Sequence, residues 1–242
     1  MPTPPLTPAH TDRLLALGAT EHLLAELKLR DASGELPGWF GELGNALYVA
    51  DSMALPERLI ERLMVYPFSD CLMVLASGLD NLSSLLLGGD GATIVIGTDC
   101  ELTAGEIYCG AGSSIVLHGE VVGTREAVLD ARNGGSIVAE PDQLWAARVY
   151  IATDDMHSLE DLATGRRVNP YGGHIRLGRH VWLGREAMVT GHAEVGASAV
   201  VGMRSLVRGQ TVPPNTAVAG SPARVIREGI TWHAEDLALG GG

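Results

Sequence analysis

Residues 177–211 read LGRHVWLGREAMVTGHAEVGASAVVGMRSLVRGQT. Leu177, Leu183, Val189, Val195, Val201 and Val207 recur at intervals of six. Four residues after each stand Val181, Ala187, Ala193, Ala199, Ser205 and Thr211, all small or β-branched. Glycine follows four of the six anchors directly, at Gly178, Gly184, Gly196 and Gly202. Two matched columns over six consecutive units mark a repeat, whose units bury their apolar face only by stacking on one another.

Working upstream, residues 92–97 read ATIVIG, 113–118 read SSIVLH and 135–140 read GSIVAE. Ile94, Ile115 and Ile137 lie 21 and 22 residues apart, each in a short apolar alternation that predicts a strand. The composition fits a repeat. Thirty-one glycines stand against two phenylalanines, and aromatic residues make up 5% of the 242.

The N-terminal part reads differently. Residues 1–10 hold four prolines and predict a frayed tail. Leucines at 14, 15, 17, 23, 24, 27 and 29, with Gly18 between them, predict two short amphipathic helices over 12–30. The stretch Gly34–Gly44 reads as loop, and Pro56 before ERLIERLM predicts a helix.

The net charge of −12 argues against nucleic acid as a main partner. Residues 1–165 hold 8 of the 17 bases and 24 of the 29 acids, whereas 166–242 hold 9 bases and 5 acids. A basic end on an acidic chain suits a local anionic ligand. Three cysteines without metal-type spacing predict a reducing compartment, hence the cytoplasm. The N-terminus lacks the pattern of a secretory signal, and Cys71–Leu87 is too short and too polar to span a membrane.

The hexads resemble those of the hexapeptide-repeat acyltransferases. The resemblance implies an all-β fold, a left-handed parallel β-helix in which three hexads make one triangular coil. The aliphatic anchor would point inward, the small residue would pack near the corner, and the glycine would relieve the turn. Coils would stack at about 4.8 Å. The expected organisation is an accessory region of mixed structure over 1–84, the helix over 85–228 with an inserted loop at 151–173, and a tail over 229–242.

That loop, IATDDMHSLEDLATGRRVNPYGG, breaks the repeat. A long irregular segment within a solenoid commonly carries function. With Thr153, Asp154, His157, Arg167, Asn169, Pro170 and Val181-Trp182-Leu183-Gly184 it resembles the maltose, galactoside and capsular-polysaccharide O-acetyltransferases. The resemblance implies that His157 is the catalytic base, with Asp154, Asp155, Asn169 and Trp182 about the acceptor. An imidazole titrating near neutrality suits removal of a hydroxyl proton during acyl transfer. Asp154, Asp155, Glu160, Asp161 or a backbone carbonyl could orient its second nitrogen. No activated Ser or Cys motif is present, which favours direct transfer over an acyl-enzyme.

The closing segment resembles the family's coenzyme A side at Gly202, Ser205, Pro213-Pro214-Asn215 and Ala219-Gly220-Ser221-Pro222-Ala223-Arg224-Val225-Ile226-Arg227. It departs at Met203 and Arg204, where Ala-Gly is usual, and at Arg208, in a stretch where threonine-lysine is usual. The resemblance implies acetyl-CoA as co-substrate along Gly184, Gly202, Met203, Ser205, Arg208, Pro213, Arg224 and Arg227. Arginine holds phosphate bidentately, so Arg204, Arg208, Arg224 and Arg227 are candidates for the coenzyme's phosphates. Homotrimers follow from the resemblance too, with a sugar or polysaccharide as the other partner.

Two other readings stay open on the residues alone: N-acetylation of an amino sugar or nucleotide sugar, and a non-catalytic scaffold. No metal is expected. The gamma-class carbonic anhydrases share the helix but use two histidines five apart, and no two histidines here have that spacing. His174 and His192, 18 apart, should stack on adjacent coils, with His180 at another corner.

Overall fold

The computed structural model describes residues 6–57, 61, 65–78 and 80–236. Alternation along each short strand sends every second side chain inward. Ile94, Ile115, Ile137 and Ile175 thus line up in register on successive parallel strands, all buried. Among the described residues the strands form three sheets. The first face has nine strands, from Leu29–Asp31 to Thr211–Val212. The second has six, from Ser84–Gly88 to Leu206–Arg208. The third has seven, from Glu101–Leu102 to Arg224–Glu228. The result is a parallel β-solenoid of about 7 turns, of the left-handed β-helix kind.

All six hexad anchors are fully buried. Leu177 pairs with Val195, Leu183 with Val201 and Val189 with Val207, so three hexads make one coil. The next coil is one residue shorter: Val195 pairs with Val212 and Val201 with Val218. Val212 takes the inward place, and Thr211, the last of the small-residue column, is exposed.

The glycines after the anchors do not relieve the turn. The left-handed backbone falls two residues later, on His180 (φ 60), Glu186 (φ 58), Ser198 (φ 58) and Arg204 (φ 57). What the glycines supply is clearance between coils. A Cβ on Gly184 would lie 2.7 Å from the Met203 nitrogen, and one on Gly196 2.5 Å from the Pro214 nitrogen.

The N-terminal region is built onto this solenoid. Helix Pro8–Ala16 is capped by Thr7 and helix Glu21–Glu26 by Thr20. The first begins inside the stretch expected to fray, because the Thr7 hydroxyl accepts from the His10 N–H and proline suits the first turn. Leu14, Leu23 and Leu27 cover the outward row Tyr48, Val74, Val95, Val116 and Val138 of the first face. His118 lies under this cover, its Nε2–H donating to the Gly18 carbonyl at 2.8 Å. Strands Ala46–Ala50 and Leu72–Leu75 lie upstream of residue 85 yet continue the first face in parallel register. Gly34–Gly44 is not simply loop. It contains the helix Gly38–Glu42, held by Phe40, which is buried in the solenoid core. The helix expected after Pro56 lies largely outside the described residues.

Each end carries a reversed strand. Leu29–Asp31 runs antiparallel to Ala46–Ala50, and Arg224–Glu228 antiparallel to Thr216–Ala219. Beyond the second, Trp232 is buried. Its ring stacks on His180 at 4.1 Å, and its Nε1–H donates to the His180 carbonyl at 2.8 Å.

Candidate active site

The loop of residues 153–173 leaves the second face after strand Tyr150–Ala152 and enters the first at His174–Leu177. Its base is tied by one carboxylate. Asp154, with a fully buried side chain, accepts from Met156 N–H (2.7 Å), Gly172 N–H (3.2 Å), Asn133 Nδ2 (2.9 Å) and the Arg167 guanidinium (3.2 Å). It thus joins both limbs of the loop to the preceding coil. Burial pushes its pKa up, but these donors together outweigh burial and hold it below the ordinary 3.8. A depressed folded-state pKa stabilises the fold above the ordinary value, and that stability is lost as pH falls through the lower folded value. Wild type should therefore lose more thermal stability than Asp154→Asn between about pH 6 and pH 3. Parallel melting curves for the two proteins across that range would contradict the assignment.

The segment of the loop that carries His157 is set by Asn169, which is buried. Its Oδ1 accepts from Leu159 N–H at 2.8 Å, and its Nδ2 donates to the His157 carbonyl at 2.8 Å and to Asp155 Oδ2 at 3.2 Å. The His157 N–H donates to the Asp155 carbonyl at 2.8 Å. Both backbone groups of His157 are therefore fixed, while its side chain is exposed and has no hydrogen-bond partner among the described residues. Neither Glu160 nor Asp161 orients its ring: Glu160 accepts from Ser158, and Asp161 from Thr164 and Ala163. Asp155 Oδ2 also accepts from Arg208 at 2.7 Å.

The structure brings His157, Asp154, Asp155, Asn169 and Arg208 together. Trp182 stands apart. Strand Val181–Leu183 belongs to the third face, which the loop does not join. The Trp182 ring is 38% exposed and lies 6.2 Å from Trp232. Gly184, Gly202, Met203 and Ser205 share one corner, between the third and second faces on successive coils. Ser205 is fully buried, and its hydroxyl accepts from Gly220 N–H at 3.0 Å. Pro213 lies at a different corner, and Arg224 and Arg227 on the terminal reversed strand. Arg204 is paired with Glu186 at 2.6 Å.

Two contributors escaped the sequence reading. Asn133 stands 21 residues before Asp154, which is the coil spacing, so that offset could have paired them. Trp232 lay in the expected tail and carried no signal.

A cavity of about 610 Å³ between helix Glu21–Glu26 and the solenoid, lined among others by His118 and Arg179, does not touch the loop. The cysteines are buried and free. Burial pushes Cys100 up to about 11 and Cys109 up to about 12, so neither offers a thiolate near neutral pH. His174 and His192 lie on adjacent coils with their rings edge to face, 5.8 Å between centroids, and Ser136 Oγ is 2.9 Å from the His174 Nδ1. Among the described residues no three His, Cys, Asp or Glu side chains gather as metal ligands, and no helix is long and apolar enough to cross a membrane.

No protein-family model matches the chain. Two curated relatives are polysialic acid O-acetyltransferases. That of Neisseria meningitidis is 28% identical over 178 residues, covering 64% of this chain and 82% of the relative. That of Escherichia coli O1:K1 / APEC is 33% identical over 136 residues, covering 55% of this chain and 43% of the relative, so the chain spans less than half of it. Among solved structures, the polySia-specific acetyltransferase NeuO superposes with a TM-score of 0.63 at 22% identity, covering 70% of this chain and 77% of that one. The polysialic acid O-acetyltransferase OatWY gives 0.54 at 22% identity, covering 69% and 83%. At such identities the two structures speak for the fold.

Proposed function

We propose that this chain is an acyltransferase of the hexapeptide-repeat kind, like the O-acetyltransferases it is similar to, and that it moves an acetyl group from acetyl-CoA to a hydroxyl of a sugar polymer, with His157 as general base. The carrying observation is the state of His157. Both its backbone groups are bonded within the loop, while its imidazole is left free.

The chemistry balances on this chain's own groups. The acceptor hydroxyl gives its proton to the imidazole as its oxygen bonds to the thioester carbonyl carbon. The C–S bond then breaks, and the imidazolium returns the proton to the departing thiolate. With the buried thiols unsuited to attack, transfer is direct. The coenzyme arm runs along the corner of Gly184, Gly202 and Met203, which Ser205 supports from inside, while Pro213, at another corner, lies off that line. Arg224 and Arg227 are exposed and take its phosphates.

The relatives' acceptor, polysialic acid, is a polyanion, which a chain of net charge −12 repels overall. The basic surplus of residues 166–242 gives such an acceptor a local place to bind. The acceptor cleft lies between copies of a homotrimer. Trp182 is on a face that the loop does not join, so it meets His157 from a neighbouring copy. Val122 and Trp182 in the outward row of the third face are 39% and 38% exposed, an apolar surface that a second copy would cover. Three free, buried thiols suit a reducing compartment, the cytoplasm.

One preparation tests the proposal. Light scattering should give three copies, and acetyl-CoA with polysialic acid should release free thiol and yield an O-acetyl ester on the sugar. A monomer would remove the shared cleft. No thiol release with polysialic acid or with neutral oligosaccharides would remove the enzyme reading.

A further inference from the structure

Arg208 lies two coils away from the loop it touches. On the second face, Ala152, Thr190 and Arg208 stand in one outward row on successive strands. The residues between are short, so the arginine can lie along the sheet and reach Asp155, whose Oδ2 accepts from its guanidinium at 2.7 Å. The same oxygen accepts from Asn169 Nδ2 at 3.2 Å, and Asn169 Nδ2 holds the His157 carbonyl at 2.8 Å. The Asp155 carbonyl takes the His157 N–H. The ion pair therefore ends on both bonds that fix the backbone of His157.

We infer that Arg208 is a positioning residue for His157, holding the segment of the loop around that histidine rather than the coenzyme. The inference rests on His157 being the base. Two physical arguments carry it. First, the two side chains are 45% and 28% exposed, and an exposed pair contributes little to global stability, so the fold does not require it. Second, among the described residues its guanidinium bonds the carboxylate next to the two bonds that orient the base. Asp154 secures the base of the loop from inside. Arg208 secures the segment around His157 from the rigid coils below, where a strand residue is better placed than another loop residue.

The test is a cycle of Arg208→Gln, Asp155→Asn and the double variant, with kcat and KM measured for both substrates and His157→Ala run beside them. A misplaced base loses rate, so each single variant should lower kcat by about ten- to a hundredfold. KM for acetyl-CoA should stay within about twofold, because the coenzyme's contacts are untouched. The double variant should be no slower than the worse single one, since both remove the same tie. A raised KM for acetyl-CoA with an unchanged kcat in Arg208→Gln would overturn the inference and return the residue to the coenzyme. So would losses in the double variant that multiply. Full activity in His157→Ala is a separate outcome: it removes the base itself, and with it the group that Arg208 positions.

Discussion

Replacing His157 with alanine should leave the solenoid folded and lower kcat by about 10²–10⁴-fold, the usual worth of a general base. The imidazole is exposed and bonded to none of the described residues, so its removal breaks no structural contact. The Asn169 and Asp155 bonds to position 157 are made to its backbone and survive the substitution. Circular dichroism and the melting temperature should match wild type, while thiol release from acetyl-CoA slows. A variant that is folded and turns over at near-normal rate would transfer the role to another group. His174 and His192 would be the first to test, since they enter the first face where the loop returns.

The second large effect concerns the core. Trp145, on strand Gln143–Trp145 of the third face, is fully buried. It stands in the inward column between Gly123 and Leu183. A Cβ at Gly123 would lie 2.9 Å from Leu102 Cδ2 and 3.3 Å from Ala127 Cβ, so the space beside that glycine is already filled. Its Nε1–H donates to Gln143 Oε1 at 3.3 Å. The Gln143 amide nitrogen in turn donates to the carbonyls of Glu140 at 2.9 Å and Gly178 at 2.8 Å. Trp145→Ala empties a volume that Gly123 cannot fill and leaves a buried amide oxygen without its donor. A loss of about 3–5 kcal/mol is expected, a large part of a domain's stability. Chemical denaturation reads it. A change below about 1 kcal/mol would mean that the coils collapse around the gap.

The fold was legible where the chemistry repeats. Inward positions in a stacked coil see the same surroundings each time, so Leu177 to Val207 had to recur, and Ile94, Ile115 and Ile137 to line up. Legibility failed where the period changed. The coil ending at Val212 lost one residue, a slip invisible until the strands were paired. The N-terminal helices follow from their leucines, but what they cover does not, because the valine row beneath them is scattered over the sequence. In the loop, His157 and its neighbours could be named from a resemblance. Their ties could not, since Arg208 reaches Asp155 across 53 residues of chain. The role of the glycines was misplaced for a related reason. A tight turn and a close approach both select glycine, and only φ and the distance to the next coil tell them apart.

A stack of parallel coils is in principle a template that could lengthen without limit. Each open end offers a row of backbone donors and acceptors to another chain, as a growing fibril does. The strands Leu29–Asp31 and Arg224–Glu228 run the wrong way to propagate that ladder. One sits at the head of the first face and the other at the foot of the third. At those two edges an arriving strand meets one reversed in direction and cannot continue the parallel ladder in register. Reversed edges of this kind act as chain terminators. Each gives the parallel ladder of its own face a defined end.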